Sequence, residues 1–330
     1  MQNGKLLKKF IESRYELADY PTLIYQSEIW SKTQPLKGLR ILDGTPVFAN
    51  TLAKYIPLID AGAEITIGIS HIMPNDDDVV SFLRSCGFEV VQPDCGREFD
   101  LVLDCAGAFA GVIAKIGYVE LTRSGVEVYK NCSKPVFLAD SSKIKLIETS
   151  LGTGDGYFRA MAQLGYNVWD GRLLVIFGNG KVGQGIASYG RKMGAKVIVF
   201  DENSLEADVR KAIAKAYAIV TATGVKDAVS SYATDIMTSK AIIANMGVED
   251  EFGDKMPCER VLENKKPLNF ILQEPTHMRY IETTMALHNL GALELLNNTS
   301  HIGLIEPKRE LEDELLNIVK RNGKIGDELF

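Results

Sequence analysis

Apolar and polar positions follow two rhythms along this chain. Short apolar runs of strand length recur at residues 39–44 (LRILDG), 64–70 (EITIGIS), 88–92 (FEVVQ), 100–107 (DLVLDCAG) and 135–140 (PVFLAD). Their β-branched content marks them as strands. Among them lie FANTLAKYIPLIDAG and DDDVVSFLRSCG, whose apolar residues repeat with helical spacing and which run out at Gly62 and Gly87, a usual way for helices to end. A second series starts at Leu173 and continues through KVIVF, AIVTATG, AIIANMG and NFILQ. Strands alternating with helices predict parallel sheets covered on both faces. The expected fold class is therefore α/β, with two doubly wound Rossmann-like domains and a cleft between them.

The pattern also divides the chain. Residues 1–152 are expected to form one α/β domain, completed by helices from about residue 293 to residue 330, and residues 153–292 the second. The join falls at SLGTGDGYFRAMAQLGYNVWDG, where three closely spaced glycines suit a hinge and a helix follows. The N-terminal MQNGKLLKKFIESRYELADY reads as an amphipathic helix without the apolar core of a signal peptide. Near the end, PKRELEDELLNIVKRNG reads as a charged helix with Leu311, Leu315 and Ile318 on one face.

Composition narrows the function classes. With 330 residues, 46% hydrophobic and 24% charged, the chain has material for two cores and is expected to fold. A net charge of −6 gives no basic surface for nucleic acid, and no run approaches the ~20 apolar residues of a membrane span. Five cysteines with no CxxC pair read as reduced thiols, which points to the cytoplasm. PNDDDVV (74–80) reads as a helix cap, with Asn75 or an Asp as the capping residue, and no metal site is expected.

One segment carries specific chemistry. In LLVIFGNGKVGQGIASYGRKMGAKVIVFDEN an apolar strand runs into Gly178, Gly180 and Gly183, with Lys181 and Val182 opening a helix. In this context the glycines permit a tight turn, let backbone N–H groups approach a pyrophosphate, and let helix and strand pack closely. The helix then aims its positive end at the phosphates. Asp201, at the end of the next strand, is placed to accept the ribose hydroxyls and to repel a 2′-phosphate, so NAD rather than NADP is the expected cofactor. Thr223 and Gly224 in TATG, and Asn245, Met246 and Gly247 in ANMG, close the fourth and fifth expected strands with small residues on the cofactor edge.

In order and spacing, GYVELTRSGV (117–126), ADSSKIKLIETSLGTGDGYFRAM (139–161), FGNGKVGQG, TATG, ANMG and HNLGAL (288–293) resemble the S-adenosylhomocysteine hydrolase family. That family uses tightly held NAD to oxidise the ribose 3′-hydroxyl of its substrate, eliminates or adds a thiol, and reduces the ketone again. The resemblance implies that Thr122, Ser124, Asn245, Met246, Gly247 and Asn289 lie near the nicotinamide and that Thr223 and Gly224 lie under the adenosine side. It does not extend to the proton-transfer and substrate-binding groups. This chain has Cys105, Leu121, Ile144, Glu148, Thr149 and Val248 where the family has an acid, a glutamate, a lysine, an Asp–Asn pair and a histidine, and Pro46, Phe48 and Asn50 where it holds adenosine. Leucine and isoleucine move no protons, so hydrolase chemistry is not expected.

Replacement chemistry has three candidate locations: Asp104 with Cys105, Asp140 with Lys143 (and Glu148 beyond it), and the segment 274–291. In that last segment Arg279 suits a substrate carboxylate, and His277 or His288 suits exchange of a proton. The competing readings are a surface pair of Arg279 with Glu282, histidines satisfied by backbone carbonyls, and a space-filling Cys105. The expected catalytic residues are His277, His288 and Asp140, with Arg279, Asp104 and Glu148 binding substrate. The function expected is an NAD-dependent oxidoreductase of a small polar substrate held in the cleft, in a dimer or tetramer without nucleic-acid or membrane partners. A catalytically silent NAD-binding subunit, and an enzyme of a nucleoside thioether with reassigned acid–base groups, are the alternatives.

Overall fold

A computed structural model describes residues 2–325 and residue 328. The chain forms two compact units, one built from residues up to Lys145 and again from Met278 onward, the other from Leu146–His277. Along the first unit run helix α1 (Gln2–Glu12), α2 (Pro21–Thr33), β1 (Arg40–Asp43), α3 (Thr51–Asp60), β2 (Glu64–Gly68), α4 (Asp77–Ser85), β3 (Glu89–Val91), β4 (Glu98–Asp104), β5 (Ile113–Glu120), α5 (Arg123–Tyr129) and β6 (Pro135–Leu138). The second unit holds α6 (Thr153–Gln163), β7 (Leu173–Phe177), α7 (Lys181–Lys192), β8 (Lys196–Phe200), α8 (Glu206–Ile213), β9 (Ala218–Thr221), α9 (Ala233–Thr238) and β10 (Ile242–Asn245). The chain then returns to the first unit through α10 (Met278–Asn297), β11 (Gly303–Ile305) and α11 (Arg309–Asn322).

Both sheets are parallel. In the first unit the order is β11-β6-β5-β4-β1-β2-β3, and in the second β10-β9-β7-β8. In each, the order reverses beside the first strand of the unit, between β1 and β4 or between β7 and β9. Such reversals open the crevice where doubly wound folds take their ligands. The central strands read as unbroken apolar runs because both faces are covered; Leu42, Leu101, Val102, Leu174, Val175 and Ile176 are wholly buried. Helices α3 and α4 stop just before Gly62 (φ +86°) and Gly87 (φ +85°), as the spacing predicts. Asp76 caps α4 by accepting from Asp78 N–H and Val79 N–H, while Asn75 instead accepts from Val47 N–H. No helix among the described residues is long and apolar enough to cross a membrane.

The structure departs from the sequence reading at four places. Strand β5 lies in the middle of its sheet although Lys115, Gly117 and Glu120 interrupt its apolar run and hide it from the hydrophobic pattern. Gly117 is required there, since a Cβ would collide with the Pro135 carbonyl on the neighbouring strand. NFILQ is no strand: after Pro267 the chain coils into a 3₁₀ turn over Leu268–Ile271. The glycines expected to form a hinge sit in continuous helix, a π-helical turn over Ile147–Gly152 leading into α6. Their smallness serves packing, for a Cβ at Gly154 would strike the backbone of Gly185 on α7, and one at Gly156 the Pro275 carbonyl. Finally, the units divide at residue 277, so the expected boundary at residue 292 would cut through α10. That helix is buried on nearly every side within the first unit and cannot be shared out turn by turn.

Candidate dinucleotide site

The glycine turn and the helix after it are built for a diphosphate. Gly178 follows β7 with φ +108°, a conformation that L side chains rarely adopt, and a Cβ there would strike the Ala222 carbonyl at the end of β9. At Gly183, in the first turn of α7, a Cβ would run into the Gly178 carbonyl, so the helix can begin this close to its strand only as glycine. Gly180 differs: a Cβ there would meet nothing within 4 Å. It is the N-cap of α7, makes no side-chain cap bond, and no acid stands in the first turn. The backbone N–H groups of Lys181, Val182 and Gly183 open the helix at its positive end, an arrangement suited to a pyrophosphate.

The neighbouring loops complete the fit. Asp201 follows β8 and is exposed; its Oδ1 accepts from Asn203 N–H (3.0 Å) and Ser204 Oγ (3.3 Å), which fixes the carboxylate. Its Oδ2 accepts from none of the described residues. Thr223 and Gly224 follow β9, and a Cβ at Gly224, as at Gly180, would meet nothing within 4 Å. Asn245 plays another part. It is wholly buried, accepts from Thr221 Oγ1 (3.0 Å) and Gly247 N–H (2.9 Å), and donates to the carbonyls of Glu249 (2.8 Å) and Lys265 (2.7 Å). All its polar capacity is used in stapling the loop after β10, with Met246 buried beside it. Asn269, buried after the bridge between Asn245 and Pro267, is an asparagine of this unit that the sequence reading overlooked.

Other expected site residues lie in the first unit. Thr122 caps α5, accepting from Gly125 N–H (3.3 Å), and donates to Glu120 (2.7 Å); exposed Ser124 lies 3.2 Å from the Thr122 hydroxyl. Asn289 is buried in α10 and donates to the Lys54 carbonyl (3.0 Å). Asp140 follows β6 in a 3₁₀ turn and is half-buried, as is Glu148 in the π-helical turn of the second unit.

Asp104, expected to hold substrate, is enclosed instead. Its carboxylate accepts from Cys105 N–H (2.7 Å), Phe109 N–H (3.0 Å) and Tyr129 OH (2.5 Å), which accounts for both oxygens within its own loop. Burial, with the Glu120 carboxylate beside it, pushes Asp104 up to about 7. Glu120 in turn gathers the N–H groups of Ala106, Gly107 and Thr122 (2.7–3.0 Å), two of them on residues with φ near +60°. An internal carboxylate thus occupies the anion-sized nest that this loop forms.

The residues of segment 274–291 separate. His277 ends the second unit, 41% exposed, with Nδ1 3.5 Å from Glu274 and Nε2 3.8 Å from Asp155. Arg279 opens α10 in the first unit, where its guanidinium lies over the Tyr280 ring and donates to the Tyr280 hydroxyl (3.0 Å). Glu282 does not pair with Arg279. It is buried and accepts from Thr22 N–H (3.0 Å), Leu23 N–H (3.3 Å) and the hydroxyls of Thr22 (2.5 Å) and Thr283 (2.7 Å), capping α2; burial pushes it up to about 7. His288 is wholly buried beside Lys54, its Nε2 3.0 Å from the Val119 carbonyl, and burial pulls it down to about 3. Its imidazole has no exposed surface. Leu121 and Ile144 are core residues, and Val248 stands exposed after β10.

A parallel sheet with an uncapped, glycine-opened helix at its switch point and an acid after the next strand defines an NAD-binding protein of the doubly wound class. Residues 155–267 match the family model described as S-adenosyl-L-homocysteine hydrolase, NAD binding domain. The chain is 27% identical over 286 residues to the adenosylhomocysteinase of Archaeoglobus fulgidus, covering 72% of this chain and 69% of that protein. Against the adenosylhomocysteinase of Thermotoga maritima it is 27% identical over 306 residues, 80% of this chain and 73% of the relative. The S-inosyl-L-homocysteine hydrolase of Methanopyrus kandleri is 25% identical over 286 residues, 74% and 68% of the two chains. The chain thus resembles the S-adenosylhomocysteine hydrolase family, and its cofactor is NAD.

Proposed function

We propose that this protein is an NAD-dependent oxidoreductase of a small polar substrate and does not carry out the hydrolase reaction of its relatives. The observation behind this reading is a contrast. The glycine turn, the uncapped α7 and the acid Asp201 after β8 support NAD binding, while buried, apolar Leu121 and Ile144 stand where the resemblance calls for a glutamate and a lysine. Bound NAD supplies a hydride acceptor. The chain's part is to bind and orient substrate and to hold a proton. Arg279 offers a planar two-donor fork for a carboxylate or phosphate. His277 is the histidine of the segment with solvent access, and the carboxylates of Asp155 and Glu274 lie beside it.

A second reading keeps a nucleoside thioether as substrate with other acid–base groups, supported by likeness along 72–80% of the chain to enzymes whose names specify such substrates. Two assays on purified protein separate the readings. Oxidoreductase activity gives substrate-dependent formation of reduced nicotinamide, weakened by Arg279→Ala through KM with NAD affinity unchanged. Release of thiol from S-adenosylhomocysteine or its inosine analogue, on the order of 1 s⁻¹ or faster, establishes the second reading instead. NAD binding with neither turnover leaves a silent NAD-binding subunit.

A further inference from the structure

A buried carboxylate in the NAD-binding unit has no part in the fingerprint. Glu251 is wholly buried, six residues beyond β10, yet its carboxylate reaches the loop that follows β9. Its oxygens accept from Thr223 N–H (2.9 and 3.0 Å) and Gly224 N–H (2.7 Å). The backbone around it is tied to the same loop, for Val229 N–H donates to the Glu251 carbonyl (3.0 Å) and Asp227 N–H to the Asp250 carbonyl (2.9 Å). The chain makes room for this carboxylate: a Cβ at Gly247 would occupy the place of Oε1. On its other side, the loop abuts the fingerprint, since a Cβ at Gly178 would collide with Ala222 and lie 2.9 Å from Thr223 N. Contacts therefore run without a break from Gly247 through Glu251 and Thr223–Gly224 to the Gly178 turn.

We propose that Glu251 is a positioning residue for NAD, fixing the Thr223–Gly224 backbone against the glycine turn so that the dinucleotide meets a preformed surface. Two backbone N–H groups directed at one buried charge give a stiffer loop than solvent can, because bonds to a charged acceptor are about twice as strong as neutral ones. A preformed loop saves the ordering cost that binding would otherwise carry. This rests on the NAD-binding assignment and does not depend on the reaction catalysed.

The test is calorimetric titration of NAD into the full chain, with hydrogen exchange at the Thr223 and Gly224 amides as an independent readout. Glu251→Gln keeps the shape but presents an NH₂ to one of the two donors. It should weaken NAD roughly tenfold, as expected for a lost charge-assisted bond, and speed exchange at both amides in the free protein. Gly247→Ala displaces the carboxylate without removing it and should likewise speed exchange at both amides in the free protein, which guards against a Glu251→Gln protein that does not fold. Faster exchange with unchanged NAD affinity in both variants would reduce Glu251 to a stabilising role and overturn the proposal, as would unchanged exchange. Absence of NAD binding by the unmodified chain would instead remove the assignment on which the inference stands.

Discussion

Lys54 and Asp43 form an ion pair in which neither side chain has any exposed surface. Asp43 ends β1 at the switch point of the first unit, and Lys54 reaches it from the first turn of α3. Burial pulls the Lys54 ammonium down while Asp43 pulls it back; Lys54 in turn offsets the burial of Asp43 and holds it below the usual carboxylate range. Thr45 Oγ1, Tyr55 OH and His288 Nδ1 are buried in the same unit without a hydrogen-bond partner among the described residues. Removing one member of such a pair strands the other charge, at a cost of about 3–5 kcal/mol. Lys54→Met alone should therefore lower unfolding stability by that order in denaturant titration. Adding Asp43→Asn, which retains the acceptor for Thr45 N–H, should restore most of it.

His288 should be silent toward pH. With burial holding its imidazole down to about 3, the ring stays neutral, and bonding of Nε2 to the Val119 carbonyl selects the tautomer with hydrogen on Nε2. Its nitrogen resonances should not titrate between pH 5 and 8. Any limb near neutrality in the pH profile of an NAD-dependent rate should survive His288→Gln. Loss of that limb in this variant would return His288 to the chemistry.

Two carboxyl groups should make the first unit more stable on mild acidification. Asp104 and Glu282 are each raised to about 7 by burial, against about 3.9 and 4.3 when unfolded. Between pH 4 and 7 the folded chain thus holds protons that the unfolded chain has released. The contribution is full below about pH 4 and is lost as pH rises toward 7. Unfolding free energies measured from pH 5 to 8 should fall less steeply with pH in Asp104→Asn and in Glu282→Gln than in the unmodified protein.

Cofactor choice should follow Asp201. NAD should bind much more tightly than NADP, and Asp201→Ala should narrow the gap from both directions. It removes a charged acceptor of ribose hydroxyls, worth about 1.5–3 kcal/mol, and also removes the repulsion of a 2′-phosphate. Equal affinities of the unmodified chain for the two cofactors would exclude this role.

What the sequence by itself determined is local. The glycine turn and the ends of α3 and α4 depend on backbone conformations that only particular residues adopt, and Asp201 follows the turn at a fixed distance along the chain, so their spacing carries their meaning. Strand β5 could not be read this way, because its Lys115, Gly117 and Glu120 are accommodated by neighbouring strands and loops distant in sequence. The same holds for polar side chains. Asp104, Glu120, Asn245, Glu282, His288 and Asn289 all carry groups suited to chemistry, and the sequence has no means of saying whether solvent or backbone will meet them. Tertiary structure decided that, by enclosing each and bonding it to N–H groups, hydroxyls or carbonyls brought up by the fold, with His288 Nδ1 and Asn289 Oδ1 left without a partner among the described residues. Most buried polar atoms find a partner at close range, and packing sets the partner. Glu251 shows the converse: nothing in ANMGVEDEFG marks it, and only the approach of two loops gives its carboxylate the N–H groups of Thr223 and Gly224.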